Sequence, residues 1–350
     1  MAEQDIDKVA AAPKRRRSKG TSLTLRDVAR LANVAPITAS RALNTPEAVS
    51  DEILQRVREA VERTGYVPNL LAGGLASRRS RLVAAVVPTI TGSVFLETVQ
   101  ALTDTLAASG YQMMLGQAGY AGSREDALLE AIIARRPDGV ILTGIMHSTL
   151  ARRRLVASGI PVVETWDLTP NPVDMLVGFS HEQLGAAVAH FLQRRGRRHV
   201  ASITADDERA IRRHAAFGAA AESLGIAGDI LCQHVVPAPS TVASGREGLR
   251  VLLARAPGID AIFCSSDMVA LGVLIEAQAL GITVPAQLAI VGMGDLALSR
   301  DLQPPLTTVR VDGTLIGDTA ARYIMQRADG RPVEQPIRDV GFTIVERGTT

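Results

Sequence analysis

Leu23 to Asn44 reads LTLRDVARLANVAPITASRALN, two short amphipathic segments joined by a tight turn. Thr24 is placed to cap the first segment as a helix, and Asp27, three residues on, completes a capping box. Leu25, Val28, Ala29 and Ala32 share one helical face, which marks that face as the inward one. Asn33 and Val34 supply the turn, since Asn tolerates a left-handed backbone that strains most residues. Pro36 suits the first turn of the second helix, where a missing N–H costs nothing. The polar side of that helix carries Thr38, Ser40 and Arg41. Two helices joined in this way make a helix-turn-helix, whose second helix enters the DNA major groove.

The flanking residues extend this reading. Residues 1–21 are polar and end in the basic run Lys14-Arg15-Arg16-Arg17-Ser18-Lys19, which predicts a disordered tail. That tail either adds non-specific attraction to phosphates or simply solubilises the chain. Ser50 is placed to cap a third helix from about Asp51 to Thr64, with Ile53, Leu54, Val57, Ala60 and Val61 as its apolar stripe and Gly65 as its stop. Residues 22–66 thus form a three-helix headpiece, marginal in isolation at that size.

Charge is distributed unevenly. Residues 1–81 hold 15 Lys+Arg against 9 Asp+Glu, while the remainder holds 23 against 27, so a net charge of +2 hides a basic end on an acidic body. That is the footprint of a protein that touches phosphates at one end. With 350 residues and 47% hydrophobic content, the chain can build two or three units with sizeable cores. Cys232 and Cys264 stand alone without metal-binding spacing, and a reduced, cytoplasmic protein is the simpler expectation over a disulfide. No apolar run approaches membrane-spanning length, and the N-terminus lacks the apolar core of a signal peptide.

After Tyr66-Val67-Pro68-Asn69 comes Leu70-Leu71-Ala72-Gly73-Gly74-Leu75-Ala76-Ser77. Together with TLRDVARLANVAPITASRALN and VSDEILQRVREAVERTGYVPN, this resembles the LacI/GalR family of transcription regulators. The resemblance implies that residues 67–81 form a hinge helix that folds on DNA. Paired across a homodimer, it would push Leu75 into the minor groove and kink the duplex. A plain linker role for Leu75 is the alternative. Gly73 and Gly74 depart from a good helix, each costing roughly 0.8–1 kcal/mol relative to Ala. The resemblance also places base reading at Pro36 and Ile37. Neither forms a bidentate hydrogen bond to a base, so Pro36 reads as a helix starter and Ile37 as a contact to a thymine methyl or as headpiece packing. Thr38 and Arg41 are the better polar contacts, and Thr24, Ser40, Asn44 and Asn69 complete the expected DNA-facing set.

From Leu82 onward short apolar runs alternate with helix patterns. Examples are strand Leu82–Val87, helix Val94–Ala108, strand Asp138–Thr143, helix His181–Arg194 and helix Arg209–Leu224. Such alternation predicts parallel sheets covered by helices on both faces. The expected architecture is therefore an all-α headpiece followed, over residues 82–350, by an α/β core of two doubly wound parallel-sheet lobes. The resemblance implies a core like periplasmic sugar-binding proteins, with an effector held between the lobes.

Ligands of parallel sheets sit beyond the carboxyl ends of the strands, which selects the polar residues there. Phe95, Thr143, His147, Glu164, Trp166, Asp167, Arg209, Arg213 and Asp267 are the candidates. Arg213 matches the family's effector-binding Arg by position. Asp267 matches the Asp of its ND pair, although Ser265-Ser266 replaces the usual Asn, and Gly294 stands where the family often has Asp. GYQMMLGQAGY, DGVILTGIMH, GIPVVETWD, VGFSHEQLGAA, DDERAIRR and DVGFTIVERG resemble the gluconate-operon repressors of this family, which implies a sugar-acid effector such as gluconate. Chemically, an Arg suits a carboxylate; Arg209 and Arg213 lie one helical turn apart. Glu164, Asp167 and Thr143 would accept from hydroxyls, Trp166 would stack on the carbon skeleton and His147 would donate. Each also admits a plainer role as core, loop or solvated surface.

The chain holds no G-x-S-x-G elbow, Walker A loop, G-x-G-x-x-G after a strand or H-E-x-x-H, and no cofactor or metal is expected. The expectation is a homodimeric repressor of a palindromic DNA operator, released by a sugar acid. The alternatives are an activator, a regulator answering another metabolite, a sugar-binding protein or a doubly wound enzyme.

Overall fold

The computed structural model describes residues 23–67, 79–90, 93–120, 122–145, 147–227 and 232–350. The basic tail and the hinge positions Asn69, Gly73, Gly74 and Leu75 lie outside them. The chain divides into two compact units, Met1–Arg78 and Arg79–Thr350.

In the first unit, α1 (Leu25–Leu31), α2 (Pro36–Asn44) and α3 (Asp51–Thr64) enclose Val28, Ala29, Ala32, Ala39, Ala42, Val57 and Ala60. The Asp27 carboxylate accepts the Thr24 backbone N–H at 3.0 Å and its hydroxyl at 2.7 Å, as the capping-box spacing requires. Asn33 sits at φ 51° and turns the chain into α2, which begins at Pro36. Ser50 caps α3, and Gly65 ends it at φ 63°.

The second unit contains two six-stranded sheets. The first has the order β11-β5-β4-β3-β1-β2, from β1 (Leu82–Val87), β2 (Gln112–Gln117), β3 (Gly139–Thr143), β4 (Val162–Thr165), β5 (Met175–Gly178) and β11 (Ile337–Asp339), every pair parallel. The second has the order β12-β10-β9-β8-β6-β7, from β6 (Val200–Ala205), β7 (Cys232–Val236), β8 (Ala261–Cys264), β9 (Ala289–Met293), β10 (Thr307–Arg310) and β12 (Thr343–Val345); β12 alone runs antiparallel. The chain therefore crosses between lobes three times, at 179–180, 311–312 and 340–342.

Burial on both faces explains the unbroken apolar strands. In β1, Val83 and Ala85 join a cluster with Leu102 and Phe179, while Ala84 and Val86 point into another with Leu129 and Leu155. The lobes also repeat one start device. Asp138, before β3, accepts the backbone N–H groups of Ser80 and Arg81 at 2.8 and 3.0 Å; Asp260, before β8, accepts those of Arg198 and His199 at 2.8 and 3.0 Å.

Helices pair through glycine. In α7 (His181–Arg194), a Cβ on Gly185 would stand 2.0 Å from the Arg213 carbonyl oxygen of α8 (Glu208–Ser223). Gly245 and Gly272 do the same for α9 (Val242–Arg255) against α10 (Asp267–Ala279). Two of the elements that the sequence pattern leaves unmarked are short. Helix Thr149–Ser158 buries only Ala151 and Leu155 around Arg152-Arg153-Arg154, and β5 is four residues long. No helix among the described residues is long and apolar enough to cross a membrane.

Candidate functional site

In the headpiece, α2 presents Pro36, Ile37, Arg41 and Asn44 to solvent, and Ile37 is 65% exposed. Ala39 and Ala42 turn inward, so helical geometry alone separates the reading side from the packing side. Exposure of that degree removes headpiece packing as the role of Ile37. Thr38 is half-buried, and the Asn44 side-chain amide donates to the Ser40 carbonyl at 2.9 Å. The second-helix polar set thus faces outward in part, while Ser40 and Asn44 also bond to one another. Thr24 is exposed and engaged by Asp27.

In the second unit a cavity of about 230 Å³ opens at the carboxyl ends of both sheets. Phe95 and Trp166 line it from the first lobe, and Arg209, Arg213 and Asp267 from the second, with the hydroxyl residues Thr89, Tyr120, Ser240, Thr241, Ser265 and Ser266 around them. Five of the nine candidate effector residues therefore line one cavity.

Arg213 is 5% exposed. Its Nη1 donates to His181 Nδ1 at 3.0 Å and its Nη2 to the Ser265 carbonyl at 3.2 Å, leaving Nε without a partner. Burial lowers its pKa to about 10, which still leaves the guanidinium charged at neutral pH. Arg209 reaches across the cleft, its guanidinium 5.4 Å over the Phe95 ring, with Nε 3.8 Å from Asp207 and Nη1 buried without a partner. An unpaired buried donor costs about 1–3 kcal/mol, a cost that Arg197 Nε and Arg212 Nε also carry. Trp166 is wedged edge-on between Phe95 (5.2 Å) and Phe179 (6.0 Å), and its Nε1 donates to Thr98 Oγ1 at 3.0 Å.

Asp267 lines the cavity, but its oxygens are occupied. Oδ2 accepts from the Leu296 N–H at 2.8 Å and Ser299 Oγ at 2.6 Å, and Oδ1 accepts from Thr308 Oγ1 at 2.5 Å. Burial raises its pKa against those bonds. The carboxylate staples α10 to β10 and the 296–299 turn. Beyond Gly294, at φ 130°, the Asp295 carboxylate is held by Arg347 at 2.5 Å.

The other four candidates lie elsewhere. Thr143 and His147 line a second cavity of about 510 Å³, which shares Tyr120, Asp207 and Arg209 with the first. Glu164 and Asp167 line neither, which corrects their expected role as acceptors for ligand hydroxyls. Glu164 is fully buried, accepts the Val173 N–H at 2.6 Å and approaches His147 Nε2 at 3.3 Å, an ion-pair contact without hydrogen-bond alignment. Asp167 accepts from Arg212 Nη2 at 2.5 Å and from the Leu168 N–H at 2.8 Å. Its carboxylate is spent on the Arg212 cation rather than left for a hydroxyl. His147 is likewise enclosed, with Nδ1 2.6 Å from Glu125 Oε1. Burial alone would lower its pKa, but Glu125 and Glu164 outweigh burial and raise it to about 9, so it is a buried cation at neutral pH.

Sequence reasoning missed His181 and Arg212. His181 is the first residue of α7, just past the end of β5, so it obeys the strand-end rule. The signal was hidden because four-residue β5 was not visible as a strand. Among the described residues no group of three or more His, Cys, Asp or Glu is placed to hold a metal, and both cysteines are free thiols.

A helix-turn-helix unit and a two-lobed α/β body with a cleft at its strand ends define the architecture of a ligand-responsive DNA-binding regulator. Comparison with known proteins agrees. Residues 24–69 match the bacterial regulatory proteins of the lacI family, and residues 188–350 match a periplasmic binding protein-like domain. The chain is 38% identical to the HTH-type transcriptional regulator GntR of Pseudomonas aeruginosa strain PAO1, over 93% of this chain and 95% of that one. It is 31% identical to the regulator of the same name in Escherichia coli strain K12, over 93% and 98%. A LacI-family regulator from Silicibacter pomeroyi superposes with a TM-score of 0.87 at 33% identity, covering 93% of this chain and 99% of that one. The chain belongs to the LacI family of DNA-binding transcriptional regulators. Its relatives are regulators, not enzymes.

Proposed function

We propose that this regulator is a cytoplasmic homodimeric repressor of sugar-acid uptake and catabolism genes, released from a palindromic operator by gluconate or a close relative. The observation that carries the effector reading is the pair of cationic side chains, Arg209 and Arg213, that line the cleft together. A carboxylate satisfies such groups with charge-assisted hydrogen bonds. The surrounding hydroxyl residues suit a polyol chain, and Trp166 supplies an apolar wall. The stretches similar to gluconate-operon repressors favour the same ligand class.

In this reading residues 22–66 read DNA, residues 67–81 act as hinge and residues 82–350 bind effector and dimerise. One headpiece meets each half-site, because a two-fold dimer matches a two-fold site. Effector binding changes the lobe angle and lowers operator affinity; by linkage, operator lowers effector affinity by the same factor.

Isothermal titration against aldonic acids, keto-acids, pentoses and purines tests the ligand, with gel shifts on the promoter of the neighbouring genes testing release. Gluconate binding is expected, with Arg213→Lys weakening it roughly 10-fold or more through loss of planar donors. Silence toward every sugar acid overturns the effector reading.

A further inference from the structure

The reading of Arg213 as the effector's cation leaves open how contact there reaches the rest of the body. Resting on that reading, we propose that His181 is a positioning residue that ties the Arg213 guanidinium to the crossovers between the lobes, and so couples effector binding to lobe movement.

The tautomer of His181 is dictated by its neighbours. A guanidinium has no acceptor, so His181 Nδ1, 3.0 Å from Arg213 Nη1, accepts. The proton is therefore on Nε2, which donates to the Trp166 carbonyl at 3.1 Å. Arg213 belongs to the second lobe and Trp166 to the first, so this single ring bridges them. Trp166 is held at φ 64°, a conformation that strains a bulky residue and persists only when its surroundings impose it. Its indole N–H donates to Thr98 Oγ1 at 3.0 Å, and the Thr98 hydroxyl donates to the Gly313 carbonyl at 2.9 Å. Gly313 follows the 311–312 crossover and His181 follows the 179–180 crossover. Hydrogen bonds on either side of Trp166, joined covalently through that residue, thus lead from the cavity cation to two of the three crossovers.

The path needs a neutral imidazole. His181 is buried; Arg213, Arg209 and Arg212 are the charged groups facing it, and the edge-on Phe179 ring lies 4.6 Å away. Burial first, and then those cations, keep its pKa well below the ordinary histidine value. A second proton would turn Nδ1 into a donor facing the guanidinium and break the path at its first link.

Two isosteric halves of the ring separate the roles. His181→Asn keeps an amide oxygen near the Nδ1 position and gives up the reach to Trp166. His181→Gln keeps a donor near the Nε2 position and gives up the acceptor for Arg213. The experiment uses the full chain, potassium gluconate in isothermal titration, operator DNA in fluorescence anisotropy, and thermal melts to confirm folding. In the wild type gluconate is expected to weaken operator binding by about 5- to 150-fold. At gluconate concentrations that saturate each protein, the operator response of His181→Asn is expected to shrink below about twofold. His181→Gln is expected to lose roughly 10-fold in gluconate affinity.

A full operator response in His181→Asn, or equal effects of the two variants on both readouts, overturns the coupling role. So does a wild-type imidazole 15N spectrum showing a protonated Nδ1, a result that needs no ligand. A wild type that ignores gluconate but binds a neutral sugar overturns the sugar-acid reading alone; the same two variants, titrated with that sugar, then decide the role of His181.

Discussion

Arg212 of the second lobe and Asp167 of the first are joined across the cleft at 2.5 Å, and the same guanidinium reaches Glu182 at 2.9 Å. The ends of this pair differ in exposure: Asp167 is 1% exposed and Arg212 is 25% exposed. Burial pushes the Asp167 carboxyl up despite Arg212, so its charge depends on the cation staying in place. The lobes are therefore held not only by three crossovers but also by an ion pair that any change of lobe angle must stretch.

Removing the cation leaves a buried carboxylate without compensation, which is costlier than removing both partners. Arg212→Ala is expected to lower the stability of the body by about 1–3 kcal/mol, discounted for the exposed guanidinium. The Asp167→Asn and Arg212→Ala double variant should lose less than the sum of the singles. Urea denaturation of the four proteins measures this; strict additivity would show that the pair carries no coupling.

The buried histidines set opposite pH limits. His147 has its folded pKa raised from 6.5 to about 9, so its contribution is fully present below pH 6.5 and is lost as pH rises through about 9. The difference corresponds to about 3 kcal/mol. His181 and His214 have folded pKa values well below 6.5, so they oppose folding increasingly as pH falls below that value. Stability is expected to peak near pH 6.5–7. Denaturation midpoints from pH 5 to 9 should show His147→Gln flattening the alkaline limb only; an unchanged alkaline limb removes the assignment.

Gly185 touches the backbone of the helix that carries both cavity cations. With a Cβ 2.0 Å from the Arg213 carbonyl oxygen, Gly185→Val forces α8 away from α7. Overpacking of this kind costs about 1–3 kcal/mol or more. A lower melting temperature should accompany loss of gluconate binding, because Arg209 and Arg213 move with the backbone. Retention of both properties would mean the helices part without cost.

At the DNA end, Ile37 projects into solvent and has no hydrogen-bonding group, so it suits the methyl of a thymine. Ile37→Gln should move half-site preference by about 1–3 kcal/mol at a single base pair, most naturally toward adenine. Gluconate affinity should be untouched, since the cavity lies in another unit. Selection of bound sequences from a randomised half-site is the measurement, and an unmoved preference removes Ile37 from base reading.

Local chemistry was legible wherever a device is completed within a few residues. The Thr24–Asp27 capping box, the left-handed turn at Asn33, Pro36 at the start of α2 and Gly65 at the end of α3 need no distant partner to be read. The buried parallel strands announced themselves by uninterrupted apolar runs such as Leu82–Val87, and their ends pointed to Arg209 and Arg213. Short elements escaped: β5 is four residues long, and helix Thr149–Ser158 has its apolar spacing broken by three arginines.

Sequence by itself determined which groups this protein possesses: a helix-turn-helix, strand-end cations and an α/β body with paired lobes. It did not determine their partners. Asp167, Glu164 and His147 sit at strand ends as expected, yet packing gives them to Arg212, Val173 and Glu125 rather than to a ligand. Only tertiary structure decides this, because a carboxylate buried in low dielectric takes whichever cation or donor the fold brings within 3 Å, regardless of distance along the chain. The same rule leaves Arg213 Nε and Arg209 Nη1 unpaired. Only the fold brings those two cations together with Phe95 and Trp166 around one cavity.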